Sequence, residues 1–170
     1  MLKPISTANR IDEILRGLID DQLHQDEEDS LISYALEILQ RRNLPGTTIS
    51  SPAVMQNHLR LAYAEHEDEV FGAVWLSTKH CILGEEVLFN GTLDSAAVYP
   101  RTVVRLGLKW NAAAVVFFHN HPSGNPEPSE ADKTITRKLI DALDCIGIRV
   151  LDHIVIGSQG AYCFSEHGLL

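Results

Sequence analysis

Residues 113–132 have the sequence AAVVFFHNHPSGNPEPSEAD, in which an apolar block is followed by a loop rich in proline. The block from Ala113 to Phe118 has the length and the β-branched and aromatic content of a buried strand. Ser129 then precedes apolar residues at helical spacing, which continue to Ile146 and end before Gly147. The sequence therefore predicts a strand, a rigid loop and a helix in this order.

Strand and helix patterns alternate through the rest of the chain after residue 69. Three further segments have the pattern of strands: Val70 to Leu76, Cys81 to Phe89 and Ile148 to Ile156. Asn90-Gly91 predicts a tight turn, and a helix is predicted to open at Tyr99-Pro100 and to carry Val103, Val104 and Trp110. Because strands alternate with helices, the predicted fold class is α/β.

The first 50 residues have the periodicity of helices. Apolar residues recur at three- and four-residue intervals between Ala8 and Gln25, and again from Leu31 to Leu39 after an acidic stretch. Ser50-Ser51-Pro52 then supplies cap residues and a first-turn proline for a helix that runs to about Ala64. We predict two parts, a short helical N-terminal segment over residues 1–48 and a domain over residues 49–170.

The chain is acidic. Its 170 residues include 14 Lys and Arg against 23 Asp and Glu, which gives a formal net charge of −9. Affinity for nucleic acids depends mainly on basic side chains that neutralise phosphates. Direct binding to nucleic acid is therefore not expected.

Cysteine usage and apolar runs give two further expectations. Cys81, Cys145 and Cys163 are widely spaced and form no Cys-x-x-Cys pair, so we expect free thiols rather than disulfides or a sulfur-rich zinc site.

The longest purely apolar run, Ala112 to Phe118, is far shorter than the roughly 20 residues that cross a bilayer, and the first residues form no signal-peptide core. We expect no membrane association and a cytoplasmic location.

Two histidines follow the predicted strand at residues 113–118. Alternation along a strand places His119 and His121 on one face, with Cα atoms roughly 6.8 Å apart, so both imidazoles can converge on one ion. Taken alone, the pair is weak evidence for a metal site, because the two could simply be loop histidines. Asp132 likewise has two explanations, because Ser129-Glu130-Ala131-Asp132 matches a helix capping box and also brings a carboxylate toward the strand end. Two imidazoles and one carboxylate leave a fourth position for water, which is typical of catalytic zinc.

These residues resemble a known family. His119-Asn120-His121-Pro122-Ser123-Gly124 with Pro128-Ser129-Glu130-Ala131-Asp132 resembles the RadC family of JAB/MPN (JAMM) metallopeptidase-like domains, whose signature is His-x-His, seven residues, Ser, two residues, Asp. The resemblance covers roughly residues 50–170 and implies a mixed β-sheet flanked by helices, similar to the cytidine-deaminase-like architecture. The chain resembles a short form, without the helix-hairpin-helix of full-length RadC relatives.

The resemblance also implies a set of site residues. His119, His121 and Asp132 would bind one zinc ion per chain, and Glu69 would be the general base for attack of the zinc-bound water on a peptide, isopeptide or related amide carbonyl. Four other glutamates are alternatives for the base: Glu65, Glu67, Glu85 and Glu86. Ser129 would stabilise the oxyanion through its hydroxyl. A supporting role around the site is left open for three residues: Asn120, Ser123 and His153.

The function expected from the resemblance is a zinc-dependent metallopeptidase or hydrolase that acts on a protein or peptide substrate. A RadC-like protein associated with DNA repair and a non-catalytic metal-binding interaction module are the alternatives. A nucleobase deaminase is excluded, because it needs His-x-Glu and Pro-Cys-x-x-Cys and neither motif accompanies these histidines.

Overall fold

The computed structural model describes residues 30–35, 38, 51–91 and 98–170. By compactness the chain divides into two units, Met1–Glu37 and Ile38–Leu170, and the elements below belong to the second unit. Residues 30–35 and 38 are helical, as predicted for the second helix. The predicted first helix, the boundary between residues 48 and 49 and the residues that follow the Asn90-Gly91 turn lie outside the described part.

The second unit alternates helices and strands. The helices are α1 (Pro52–Tyr63), α2 (Pro100–Lys109) and α3 (Glu130–Asp144), and a 3₁₀ turn covers Ser165–His167. The strands are β1 (Val70–Leu76), β2 (Ile82–Asn90), β3 (Ala114–Asn120), β4 (Arg149–Gly157) and β5 (Gly160–Cys163). None of the helices in the described residues is long and apolar enough to cross a bilayer.

Five strands in the described residues form one mixed sheet with the order β2-β1-β3-β4-β5. The pair β3 and β4 is parallel and is joined through α3, whereas the other neighbouring pairs are antiparallel. The predicted α/β class and the mixed sheet flanked by helices are confirmed. The strand β3 lies at the centre of the sheet, with β1 on one side and β4 on the other.

Helices cover both faces of the sheet. One core joins α1 to the even-numbered residues of β3, with side chains that include Leu59, Val74, Val116 and Phe118. The second core joins α2 and α3 to the odd-numbered residues of β3, with side chains that include Phe71, Val103, Phe117 and Leu139. Because side chains alternate along a strand, His119 is directed to the second face and Asn120 to the first.

Some element ends differ from the prediction. β3 continues through His119 and Asn120, beyond the predicted end at Phe118, because pairing with β1 and β4 on both sides extends the ladder into polar residues. Trp110 caps α2 and does not lie within it. The short strand β5 and the 3₁₀ turn were not predicted, since Gly160 to Cys163 contains neither a long apolar block nor a clear alternation.

Candidate metal centre

His119 and His121 lie at the end of the central strand. The side chain of His119 is fully buried on the face covered by α3. His121 follows β3 directly, and its backbone N–H donates to the Ile156 carbonyl over 2.7 Å, which continues the pairing with β4. The Nε2 atoms of the two rings lie 3.0 Å apart. The predicted convergence of the two imidazoles is therefore present.

Asp132 caps α3 and also faces the histidines. Its Oδ2 accepts hydrogen bonds from the Ser129 backbone N–H at 2.7 Å and from the Ser129 hydroxyl at 2.6 Å, and the Asp132 N–H donates back to Ser129 Oγ at 3.1 Å. At the same time Asp132 Oδ1 lies 3.4 Å from His119 Nε2, and Oδ2 lies 3.6 Å from His121 Nε2. The capping box and the approach to the histidines are compatible, because the helix N-terminus itself points at the strand end.

The spacing of these three side chains fits a tetrahedral metal ion. Ligand atoms about 2.1 Å from a tetrahedral ion lie about 3.4 Å from one another. The separations found here are 3.0 Å between the two imidazole nitrogens, 3.4 Å from His119 Nε2 to Asp132 Oδ1 and 3.6 Å from His121 Nε2 to the other carboxylate oxygen, Oδ2. Two imidazoles with one carboxylate are a donor set that zinc favours in catalytic sites. His119, His121 and Asp132 could therefore hold one such ion with small movements.

The charge of Asp132 suits a cation. Burial would raise the pKa of Asp132, but the interactions with His119 and His121 outweigh burial and hold that pKa well below its usual range. The nearby Asp132 carboxylate raises the pKa of His121, which favours the protonated ring, so a metal ion competes with a proton at His121. Asp132 is therefore ionised at neutral pH, which is the form that binds a metal.

Glu69 immediately precedes β1 and lies beside both histidines. The register of β1 against β3 pairs Phe71 with His119, and continuation of this register by two residues places Glu69 opposite His121. The carboxylate of Glu69 and one ring nitrogen from each histidine lie within 4.8 Å of one another. Glu69 with the two histidines is thus a second group that could hold a metal ion, and it overlaps the group that contains Asp132.

The alternative glutamates have other environments. Glu65 and Glu67 are exposed. Glu85 accepts a hydrogen bond from a tyrosine of α1 and contacts a histidine of the same helix, and Glu86 accepts hydrogen bonds from two tryptophan indoles. Among the five candidates for the base, Glu69 is the glutamate that groups with His119 and His121 in the described residues.

Asn120 ties the segment before β1 to the central strand. It is fully buried, its Oδ1 accepts from the Val70 N–H at 2.7 Å, and its Nδ2 donates to the carbonyls of His66 and Asp68, each at 3.2 Å. These three hydrogen bonds fix the backbone on both sides of Glu69. Asn120 is therefore connected to the backbone that carries Glu69 and does not itself contact the candidate ligands through these hydrogen bonds.

The loop after His121 is held against the turn between β4 and β5. His121 Nδ1 donates to the Asn125 carbonyl at 2.8 Å, which fixes the ring of His121. Gly124 has φ +85°, a left-handed backbone conformation that favours glycine, and its carbonyl accepts from the Gln159 N–H at 3.1 Å. Ser123 is exposed and forms no hydrogen bond with the candidate ligands in the described part of the chain.

Ser129 and His153 approach the site in different ways. The Ser129 hydroxyl donates to Asp132 and so contacts a candidate ligand directly. His153 on β4 is fully buried, and its Nε2 lies 2.8 Å from His119 Nδ1. Its Nδ1 lies 2.6 Å from the hydroxyl of Thr136, a residue that the sequence analysis did not select. Two features of the sequence could have indicated Thr136. It lies one helical turn after Asp132, and it follows Ile135 on the apolar face of the predicted helix.

Comparison with known sequences gives the family. A sequence profile described as the RadC-like JAB domain matches residues 49–169. The chain belongs to the RadC family. The mixed sheet with helices on both faces agrees with the JAB/MPN-type fold of the RadC-like domain.

Similar proteins cover most of the chain. A UPF0758 protein of Vibrio cholerae is 45% identical over 143 residues, which are 84% of this chain and 90% of that protein. The UPF0758 protein YkfG of Escherichia coli is 43% identical over 141 residues, 82% of this chain and 89% of YkfG. A UPF0758 protein of Pseudoalteromonas translucida is 43% identical over 141 residues, 83% of this chain but 63% of that longer protein. These names state no activity.

Proposed function

We propose that this RadC-family domain is a zinc-dependent hydrolase of the metallopeptidase type. The observation that carries the proposal is the convergence of His119, His121 and Asp132 at separations of 3.0 to 3.6 Å, with the Glu69 carboxylate beside them. In the proposed site His119, His121 and Asp132 hold the ion, and Glu69 is left for proton transfer. When bound, zinc supplies Lewis acidity that polarises a carbonyl and lowers the pKa of water toward neutrality.

The chain's own residues supply proton transfer and orientation. Glu69 is partly exposed. We propose that it takes the proton of the attacking water and returns it to the leaving nitrogen, which is the role of a general base that becomes a general acid. Ser129 is exposed beside Asp132, and its hydroxyl is proposed to stabilise the oxyanion after it exchanges its hydrogen bond to Asp132 for one to substrate.

The proposed substrate is a peptide, isopeptide or related amide in a protein or peptide. Such bonds need both carbonyl polarisation and protonation of a poor leaving nitrogen, and the site offers a metal position and a carboxylate for these two tasks. The acidic net charge of −9 gives no general attraction to nucleic acid, so a DNA-associated role would act through a protein partner.

The test is cleavage by zinc-loaded protein of a quenched-fluorescence peptide library and a set of lysine-linked isopeptides. We expect Glu69→Gln to retain zinc and to lose about 10²–10⁴-fold in kcat, because the general base is removed. Glu67→Gln is the matched control, since it makes the same change at an exposed glutamate two residues away. Cleavage that is unaffected by Glu69→Gln contradicts the proposed base, and zinc binding without any cleavage favours the non-catalytic metal-binding module.

A further inference from the structure

A line of buried polar groups extends from the candidate metal ligands into the core. It runs from His119 Nδ1 to His153 Nε2 at 2.8 Å, from His153 Nδ1 to Thr136 Oγ1 at 2.6 Å, and from Thr136 Oγ1 to the Asp132 carbonyl oxygen at 2.6 Å. All four residues have 2% exposure or less. The side chains of His153 and Thr136 therefore connect the ring of His119 with the backbone of Asp132, and neither of them is itself a candidate ligand.

The donors and acceptors of this line determine where its protons lie. The Asp132 carbonyl can only accept, and the Thr136 hydroxyl donates to it. Thr136 Oγ1 then accepts from His153 Nδ1–H. His153 is fully buried among aromatic rings, and its two nitrogens contact an imidazole and a hydroxyl but no carboxylate that would stabilise a charge, so the ring is neutral and its Nε2 is an acceptor. His119 Nδ1–H therefore donates to His153, and His119 Nε2 presents a lone pair toward Asp132.

The ring of His121 also has a hydrogen on Nδ1, and a single backbone carbonyl places it there. Its Nδ1 lies 2.8 Å from the Asn125 carbonyl oxygen, which can only accept, so Nδ1 carries the hydrogen. Both imidazoles thus present Nε2 to the space shared with Asp132. A metal-binding histidine is usually oriented by a carbonyl or carboxylate on its other nitrogen. For His119 that partner is a second histidine, whose own hydrogen is placed by Thr136.

The ring of His153 lies in aromatic surroundings. Its ring packs against the aromatic rings of Phe71, Phe117 and Phe164, with centroids 5.4, 6.2 and 4.7 Å away. An apolar ring would fill this aromatic environment without the cost of burying two polar nitrogens. Both nitrogens of His153 are used in the line between His119 and Thr136.

We propose that His153 and Thr136 are positioning residues that hold His119 as its Nδ1–H tautomer, with Nε2 free to bind a metal ion. The inference deepens the proposed zinc site and rests on it for the identity of the ion. The reversed line, in which Thr136 donates to His153 and His153 donates to His119, would leave a hydrogen on His119 Nε2 and block the metal position. The Asp132 carbonyl selects the first direction, because in the reversed line the hydroxyl oxygen of Thr136 and this carbonyl oxygen would lie 2.6 Å apart with no hydrogen between them.

The first test is the ring tautomer in the zinc-free protein, read from ¹⁵N chemical shifts and long-range ¹H–¹⁵N couplings of the histidines. We expect wild-type His119 to be the Nδ1–H tautomer. An Nε2–H tautomer in the wild type overturns the proposal. This readout needs no variant and no metal, so it tests the inference even if the protein binds no zinc and the proposed function fails.

The second test compares zinc affinity, by competition with a chromogenic chelator, in Thr136→Val and Thr136→Ser. Valine has a similar shape but cannot accept from His153, and we expect zinc affinity to fall about 10–100-fold. Serine keeps the hydroxyl and is expected to restore affinity to within about threefold of the wild type. Equal affinities in the two variants overturn the proposal. His153→Phe, which keeps a ring in the aromatic environment, is expected to match Thr136→Val in zinc affinity.

Discussion

Asp132 shows how one side chain serves both the fold and the site. From the sequence, a capping box and a metal ligand were competing explanations of this residue, because each accounts for an acid three positions after Ser129. In the structure Oδ2 completes the capping box while Oδ1 lies 3.4 Å from His119 Nε2. The sequence could not show this, since the direction in which the helix N-terminus points depends on packing of α3 against the sheet.

Asn120 gives a prediction at the scale of one residue. Its amide satisfies three backbone groups around Glu69, so Asn120→Asp keeps an acceptor for Val70 N–H but replaces two donated hydrogen bonds with repulsion toward the carbonyls of His66 and Asp68. We expect a loss of about 1–3 kcal/mol in the free energy of unfolding. The measurement is urea denaturation of metal-free protein.

The control for that experiment is Asn57→Asp, at an exposed position of α1. A surface change of this kind is expected to stay within about 0.5 kcal/mol of the wild type. If Asn120→Asp is as stable as Asn57→Asp, the amide does not hold the segment before β1.

At the scale of elements, α1 is anchored to β2 by the partly buried carboxylate of Glu85. Glu85 Oε2 lies 2.8 Å from His58 Nε2, and Oε1 accepts from the Tyr63 hydroxyl at 2.8 Å. Burial would raise the pKa of Glu85, but the hydrogen bond and charge of His58, with the hydrogen bond from Tyr63, outweigh burial and lower it. The ionised form of Glu85 is therefore favoured by folding.

The contacts of Glu85 predict that the free energy of unfolding depends on pH. Because the folded-state pKa is lowered, the stability that Glu85 contributes is fully present above the unfolded pKa of about 4.3 and is lost as pH falls through the lower folded value. We expect Glu85→Gln to cost about 2 kcal/mol at pH 7. The difference in the free energy of unfolding between wild type and variant should become smaller as pH falls below about 4. Urea denaturation at a series of pH values measures it, with Glu67→Gln as the exposed control. A gap that is constant with pH would contradict the role of the charge.

Elements with strong local signals were predicted well. The apolar block Val70–Leu76 is a buried strand with the predicted bounds, and the cap at Ser51 with Pro52 begins α1 as predicted. α3 ends at Asp144, two residues before the predicted end at Ile146, and Gly147, with φ +74°, lies in the turn that follows. β5 was missed because its four residues become a strand only through pairing with β4, a contact that no local pattern records.

At the scale of the whole molecule, the site depends on pairing between distant strands. Glu69 and His121 are 52 residues apart in sequence, and the register of β1 against β3 brings them together. Periodicity predicted both strands but not their order in the sheet, so Glu69 was selected by family resemblance and could not be derived from spacing. His153 reaches His119 in the same way, through the parallel pairing of β3 with β4.

The most direct measurement is the metal content per chain, by inductively coupled plasma mass spectrometry of protein purified without a metal-affinity tag and reconstituted with zinc. We predict about one zinc per chain in the wild type and in Glu69→Gln, and loss of zinc in His121→Ala and Asp132→Asn. Asparagine can still accept from the Ser129 N–H, so the cap of α3 is kept while the charged ligand is removed. A wild type without zinc, or zinc that is kept by Asp132→Asn and lost by Glu69→Gln, would contradict a site formed by His119, His121 and Asp132.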